Sequence, residues 1–547
     1  MTLASRILGF LAKLPPATPG AVSVERDLRA TMADGVVLLA DRWRPAGAQT
    51  DRAPVVLLRT PYGRRQWAGM IGRLFAERGY QVVIQSCRGT FGSGGTWVPF
   101  RNEKTDGLTT LAWIEGQPWF TGRLTTFGPS YLGLTQWAVA QEAPDYLKAM
   151  ALGVTASNFR DAVVYPSESF ALGTSLAWLQ LLEYQERGWL WAILNQRRNQ
   201  KALASGFDVL PLTAADEAVV GRHVPHFQDW LEHEVPGDSW WEPVDFGGRF
   251  EAVPPVSLVG GWYDIFLPSQ LEDYQALRAA DRSVRLTIGP WSHSSPGNIA
   301  TSLRDGLEWF DGHLNQATSE RPRNIVRLYV MGARRWVEFP TWPPVSDEQR
   351  WNLGGQGTLQ RTPAGEGPPD TYRYDPAHPT PGIGGPSLIW NDAGTRDQKE
   401  REARPDVLTY TSEVLSHDLT VIGPLSTDLH VRTTHDHCDF FVRLCDVSPR
   451  GRSKNLSDGI VHQKSGSLTK AADGSHRIQI PMWPTAKRFL RGHRIRLQIS
   501  SGAHPLFTRN TGHDEPLRSA TRLRAADVEI FHDPTHPSFM TMPVLEL

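Results

Sequence analysis

The sequence predicts a multidomain α/β protein: a doubly wound parallel sheet, interrupted by a helical insertion and followed by an all-β sandwich. Three observations predict it. The 547 residues, 40% of them hydrophobic, exceed what one core usually holds, so two or three domains are expected. In the first third, and again after about residue 246, continuous apolar runs that end in Gly or Pro alternate with helix-spaced segments, the grammar of a sheet buried on both faces. After about residue 345, short alternating β-rich runs separated by Gly, Pro, Asp and Ser take over, as in a sandwich.

The elements follow in chain order. "MTLASRILGFLAKLPPATPG" has a short apolar run broken by Lys13 and no small-x-small cleavage site, so it reads as a short amphipathic helix and not a signal peptide. "ATMADGVVLLADRWRP" carries a hairpin signal, with Asp34-Gly35 as the turn pair. "APVVLLRTPYG" and "YQVVIQSCRG" read as buried parallel strands. "NEKTDGLTTLAWIEGQPW" has helical spacing through Leu108, Leu111 and Ile114, "RLTTFG" is a further strand, and "YLGLTQWAVAQEAP" a helix. From 156 to 245 Trp, Tyr, Leu and charged residues mix at helical spacing, so this stretch is a helical insertion between core segments 1–155 and 246–345. In the second core segment "PPVSLVGGWYD" and "SVRLTIGPWSH" resume the strand-then-loop pattern. The sandwich occupies 346–547, with "GPLSTDLHVRT", "DFFVRLCDV", "SHRIQI" and "RIRLQIS" as strands and the Pro/Gly-rich 362–386 as a surface excursion. In "RIRLQIS" Ile495, Leu497 and Ile499 fall on one face.

Composition excludes several classes. A net charge of −1 supplies no basic surplus for nucleic acid. No apolar run is long enough to span a membrane. Three cysteines, Cys87, Cys438 and Cys445, are too few for a disulfide framework and suit a reducing compartment, so a cytoplasmic location is expected. The 20 Trp residues supply large flat surfaces, mostly for core packing.

Chemistry enters at "FGPSYLG", residues 127–133. Hydrolases with an α/β sheet mount a nucleophilic serine on a sharp strand-to-helix turn, usually G-x-S-x-G, and Ser130 stands between a strand and a helix. The spacing departs from that motif: Leu132 is second after the serine and Gly133 third. A helix N-cap is the alternative role for a lone serine of this kind. A serine hydroxyl needs a base, normally a histidine held by a carboxylate, in the chain order Ser, Asp or Glu, His. Asp264 ends "VSLVGGWYD" and His293 ends "LTIGPWSH", each in the loop after a predicted strand. Strand ends of that kind are where open parallel sheets bind ligands.

These residues carry a resemblance. "GPSYLG", "GWYDIF" and "GPWSH", with the block around "RGTFGSGGTWVPFRNEKTDG" and the late "DHCDFFVRLCDVSPRGRSKNLSDGIV", resemble the bacterial cocaine esterase and X-prolyl dipeptidyl-peptidase family of serine hydrolases over nearly the whole chain. The resemblance implies an α/β-hydrolase core with an inserted helical cap and a C-terminal all-β jelly-roll. It implies Ser130 as nucleophile, His293 as general base and then acid, and Asp264 as the group that orients it. It also implies an oxyanion hole built from the Tyr131 backbone N–H and the Tyr62 hydroxyl. No cofactor or metal is needed for this chemistry. Where relatives often carry Asp, this chain has Cys87, which implies different local bonding near Arg88 and unchanged chemistry.

Two other motifs weigh less. "GTFGSGG" lacks the Gly-Lys-Ser/Thr ending of a phosphate loop. "HDHCD" has ligand-type residues, with His435 and His437 on one strand face, but no second cluster joins them, so turn or strand-end chemistry is expected. Cys438 and Cys445 would face opposite ways on one strand.

The expected partner is a small-molecule ester or amide, and a homo-oligomer is allowed without being required. Esters lead, since no acidic cluster for an N-terminal amine stands out in the cap. An amidase, β-lactam acylase or X-prolyl dipeptidyl-peptidase on the same triad is the alternative, and a non-catalytic binding scaffold a third. The resemblance places Phe159, Tyr165, Phe170, Trp178 and Phe266 as the lining of an apolar acyl pocket; for helix aromatics, core packing is the alternative.

Overall fold

The computed structural model describes residues 2–18, 20–45, 52–314, 324–389, 392–463 and 469–547. They form two compact units. The first comprises Met1–Phe159, Ser239–Gly261 and Ser269–Val326; the second comprises Arg160–Asp238, Trp262–Pro268 and Arg327–Leu547.

The first unit is built on strands β1 (Ser23–Thr31), β2 (Val37–Arg44), β3 (Val55–Thr60), β4 (Gln81–Ser86), β5 (Leu124–Pro129), β6 (Leu147–Gly153), β7 (Val256–Tyr263) and β8 (Val284–Ser292), in the order β1-β2-β4-β3-β5-β6-β7-β8. β1 and β2 form the expected antiparallel hairpin, turning through Gly35 at φ +82°. β3 runs parallel to both β4 and β5, β5 to β6, and β6 to β7. Every residue of β3, β4 and β7 is buried, which is why these strands read as unbroken apolar runs. The 103–115 helical pattern forms the helix Glu103–Glu115, whose Leu111 and Ile114 pack with Val55, Leu57, Val83 and Leu124.

The N-terminal helix, Leu3–Leu11, is also present, closed by a reciprocal pair of hydrogen bonds between Thr2 and Ser5. It buries its small residues, Ser5 and Gly9, and leaves its large apolar ones exposed. Among the described residues no helix is long and apolar enough to cross a membrane.

In the second unit, Leu172–Tyr184, Gln196–Phe207, Ala215–Val220 and Pro225–Glu232 are α-helices. They are joined there by the strands of the C-terminal domain, an 11-stranded sheet in which one long strand branches off the path of the other ten. That strand, His476–Phe489, pairs antiparallel with Leu419–Thr433. Arg494–Ser500 lies between Leu408–Ser412 and Cys438–Val447. Its Ile495, Leu497 and Ile499 are buried as their alternation predicts, but so are Gln498 and Ser500. Arg401 covers that polar side, donating from Nε to Gln498 Oε1 (3.0 Å) and from Nη2 to Ser500 Oγ (2.6 Å). The excursion expected over 362–386 is partly drawn into the domain, since Asp370–Tyr374 pairs with Ala526–Phe531.

Candidate active site

Ser130 is the residue between β5 and the helix Tyr131–Ala140. Its φ of 56° and ψ of −124° put a non-glycine residue in a region that costs on the order of 1–3 kcal/mol and persists only where the surroundings enforce it. Those surroundings are visible. A Cβ on Gly128 would lie 2.2 Å from Leu132 Cβ, and one on Gly133 would lie 2.3 Å from Thr155 Cγ2. The two glycines let the helix start fold back over the strand end and press against the loop after β6. The departure from G-x-S-x-G follows from this: the second tight contact falls at Gly133, so the second position after the serine is free to carry Leu132.

His293 directly follows β8, and its Nε2 lies 3.0 Å from Ser130 Oγ. The backbone carbonyl of His293 accepts a 2.7 Å bond from Asn298 Nδ2, and Asn298 is wholly buried. Asp264 directly follows β7 in the segment Trp262–Pro268 of the second unit. It is fully buried, and its Oδ1 accepts from the Phe266 N–H at 2.8 Å.

Tyr131 is the first residue of its helix, where amides have no acceptor within the helix. Its side chain is tied beneath it: the hydroxyl donates to Glu103 Oε1 (2.8 Å) and accepts from Trp97 Nε1 and the Phe100 N–H (both 3.2 Å). Its ring stacks on Phe100, centroids 4.0 Å apart. Burial, with the Glu103 carboxylate beside it, pushes the Tyr131 phenol well above its ordinary value. Tyr62 follows β3 by two residues, and its ring meets Tyr131 edge-on at 6.1 Å.

Glu103 and Arg59 are absent from the sequence reading. They form a buried ion pair at 2.8 Å, and Arg59 also donates to Gln85 Oε1 and to the Glu103 carbonyl. Arg59 sits in the middle of an apolar strand and Glu103 in the first turn of a helix; a buried charge in such a strand was the signal available. Asn298 carries no such signal. Cys87 lies against this network, and burial followed by Glu103 holds its thiol well above its ordinary range, hence neutral. The neighbouring Arg88 pairs with Asp34 (2.7 Å) and Asp106 (2.6 Å).

The five aromatics expected around an acyl group are all buried, and they lie in different settings. Phe159 packs on Phe100 (4.6 Å) and Trp241 (6.3 Å). Trp178 stacks flat on Trp230 at 5.8 Å. Tyr165 donates to the Trp230 carbonyl (2.8 Å), and its ring meets Phe170 at 5.3 Å. Tyr165 and Phe170 line a cavity of about 320 Å³ within the second unit, together with Asp439, His462 and Asn510. Phe266 is placed by its bond to Asp264.

"GTFGSGG" folds as tight turns, with Gly89, Gly92 and Gly95 all at positive φ. Among the described residues no group of three or more His, Cys, Asp or Glu side chains is placed to hold a metal ion. Cys438 and Cys445 are both buried free thiols.

Comparison with known proteins gives this geometry a lineage. Residues 34–295 match the X-Pro dipeptidyl-peptidase (S15 family), and residues 321–541 match the X-Pro dipeptidyl-peptidase C-terminal non-catalytic domain. The chain is 32% identical to the cocaine esterase of Rhodococcus sp. strain MB1 Bresler, covering 96% of this chain and 99% of that protein. Two solved structures share its fold at a TM-score of 0.81 and 22% identity, each covering 97% of this chain and 98% of the other: an aminopeptidase from a marine-sediment Thaumarchaeota archaeon and an α-amino acid ester hydrolase. The architecture is thus an α/β-hydrolase core with an inserted helical cap and a C-terminal jelly-roll. A serine and a histidine meet at 3.0 Å on its strained strand–helix turn, and the chain belongs to the S15 family of hydrolases.

Proposed function

We propose that the chain is a carboxylic ester hydrolase that works through an acyl-enzyme on Ser130. The observation that carries this is the 3.0 Å approach of His293 Nε2 to the hydroxyl of a serine held at φ 56°. Ser130 Oγ attacks the ester carbonyl while Nε2 takes its proton. The tetrahedral oxyanion is held by the Tyr131 N–H and the Tyr62 hydroxyl. The intermediate collapses, the imidazolium returns the proton to the leaving alkoxide, and an ester of Ser130 remains. Water then attacks the acyl carbon as His293 takes its proton; the second tetrahedral intermediate collapses with cleavage of the bond to Ser130 Oγ, the imidazolium returns the proton to Oγ, and the acid leaves. Asp264 is assigned to orient the imidazole; the chain order Ser, Asp, His and its complete burial one residue beyond β7 support that role.

Esters are favoured over amides on two grounds. An alkoxide leaves more readily than an unprotonated amine, and the 32% identical relative that spans the chain is a cocaine esterase. That likeness also favours an apolar or aromatic acyl group. The assignment of Phe159, Tyr165, Phe170, Trp178 and Phe266 to the acyl pocket rests on that likeness; the cavity that Tyr165 and Phe170 border is lined by neither Ser130 nor His293.

The test is steady-state hydrolysis of p-nitrophenyl acetate, butyrate and benzoate, of phenylacetyl and aminoacyl esters, and of an Ala-Pro anilide, by the wild type and Ser130→Ala. Ester turnover should fall by on the order of 10⁶-fold in kcat in the variant, with the anilide uncut by both. Rapid anilide cleavage by the wild type would move the protein to the peptidase activity for which its family is named. Equal ester turnover by the two proteins would remove Ser130 from the mechanism.

A further inference from the structure

The helix Leu3–Leu11 is turned inside out for a surface helix. Residues 5, 9 and 12 form its buried stripe, and they are Ser, Gly and Ala. Ser5 Oγ donates to Glu77 Oε1 at 2.8 Å in a buried contact, and a Cβ on Gly9 would lie 3.0 Å from Arg78 Nη2, so the helix sits close on the body along this stripe. Just beyond it, Arg78 Nε donates to the Pro15 carbonyl (2.9 Å) and the Thr18 N–H to the Glu77 carbonyl (2.7 Å). The large apolar residues point the other way: Leu3 is 76% exposed, Ile7 50%, Leu8 41%, Phe10 83% and Leu11 67%. At about 100° per residue these five span an arc of roughly 160°. Arg6 lies beside that arc and Lys13 just past the helix end, both exposed. The first acidic residue of the chain is Glu25, so this segment carries positive charge only.

From this arrangement we infer that the N-terminal helix is a lipid-docking element, which lays its apolar face into the headgroup region of an anionic bilayer with Arg6 and Lys13 at the phosphates. Two features favour a bilayer over a second copy of the chain. A nine-residue helix is about 14 Å long and about 10 Å across, a footprint far below the roughly 800 Å² per partner that a stable protein interface buries. A bilayer needs no matching surface, since an amphipathic helix inserts only about 5–10 Å. The charge is also complementary to anionic lipid and to nothing the helix itself carries. With one short helix and two cations the binding is reversible and salt-sensitive.

Flotation of the full-length protein with vesicles of phosphatidylcholine alone, and of phosphatidylcholine mixed with phosphatidylglycerol, tests this. The wild type should float with the mixed vesicles at low salt and be released at high salt. Phe10→Ser with Leu11→Ser should weaken that binding about tenfold or more, by removing two of the inserted side chains. Arg6→Gln with Lys13→Gln should weaken it several-fold on the mixed vesicles and leave binding to pure phosphatidylcholine unchanged. Both variants should keep wild-type ester turnover in solution, which reports that they are folded. The inference is overturned if the wild type floats with neither vesicle, or if Phe10→Ser with Leu11→Ser floats as well as the wild type. It is also overturned if the exposed face instead drives a concentration-dependent dimer, seen by sedimentation velocity, with no lipid binding.

Discussion

Two tyrosines, Tyr62 and the Tyr131 that follows Ser130, meet edge-on, and their hydroxyls are assigned different roles. The Tyr131 hydroxyl is fully engaged by Glu103, Trp97 and the Phe100 N–H. Its contribution to catalysis is assigned to its backbone N–H, which every residue but proline supplies. The Tyr62 hydroxyl is assigned to the oxyanion itself. The two Tyr→Phe variants should therefore separate. Tyr62→Phe should lower kcat about 10²-fold, the loss of one oxyanion donor, with KM and the urea midpoint little changed. Tyr131→Phe should instead cost about 1–3 kcal/mol of stability, because it removes the buried bond to Glu103 and the acceptor used by Trp97 Nε1 and the Phe100 N–H, and kcat should fall less than in Tyr62→Phe. If Tyr131→Phe is the more damaging to kcat and the less damaging to stability, the two roles are assigned the wrong way round. Glu103 holds Tyr131 in place through its bond to the phenol. Glu103→Gln leaves Arg59 buried opposite a neutral group, so the urea midpoint should fall; removing one partner of such a pair outright costs about 3–5 kcal/mol, and the amide should cost less than that.

The element that matters most is the turn from β5 into the helix Tyr131–Ala140, and glycine makes it. Gly128→Ala puts a methyl group 2.2 Å from Leu132 Cβ, on the helix the turn must launch. The helix start must move, carrying Ser130 and the Tyr131 N–H with it. Stability should fall by about 1–3 kcal/mol, and kcat on p-nitrophenyl esters should fall at least 10²-fold, since small misplacements at a reacting centre cost that much. An unchanged kcat would show that Ser130 tolerates a moved helix. This turn was readable in the sequence because its chemistry is local: the glycines, the serine and the flanking strand and helix are neighbours in the chain. The parallel strands were readable for a similar reason, since burial on both faces writes itself as Val-Val-Leu-Leu or Val-Val-Ile. What escaped was decided by distant residues. Arg59 gains its partner from a helix more than forty positions later, and Asn298 is fixed only by the carbonyl it reaches. The alternation of Arg494–Ser500 correctly marked one buried face, but the second was covered by Arg401, which no pattern within the strand could show. The N-terminal helix was visible as amphipathic, but the pattern does not say which side the body takes, and here it takes the side with the small residues.

At the scale of the whole molecule, the two chain segments that flank the helical insertion are tied to one another within the first unit, at Ser157. Ser157, just after β6, accepts from the Phe246 N–H through its carbonyl (3.0 Å), so the outgoing and returning chains are tied there. Asp273, on the helix Leu267–Ala279, fastens the same residue: it accepts from the Ser157 N–H (2.8 Å) and from the Ser157 hydroxyl (2.6 Å). This carboxyl is buried, and burial pushes it up to about 7, against the two Ser157 bonds and with Glu272 and Asp245 adding repulsion. An unfolded aspartate titrates near 4. Between those values the folded chain keeps a proton that the unfolded chain gives up. Stability from this group is therefore complete below about pH 4, falls as the pH rises to about 7, and is flat above it, for a total on the order of 4 kcal/mol. That is the reverse of the usual acid denaturation, and paired surface carboxylates such as Asp27, which are held below their ordinary range, oppose it in the raw curve. The difference between wild type and Asp273→Asn isolates it, because the amide keeps an oxygen acceptor for Ser157 and does not titrate. Urea unfolding from pH 4 to 8 should show the wild type losing several kcal/mol relative to the variant across that window. Parallel curves would mean that Asp273 is ionised in the folded protein at pH 5, with the Ser157 bonds outweighing the burial, and that the neck of the insertion is held equally at every pH.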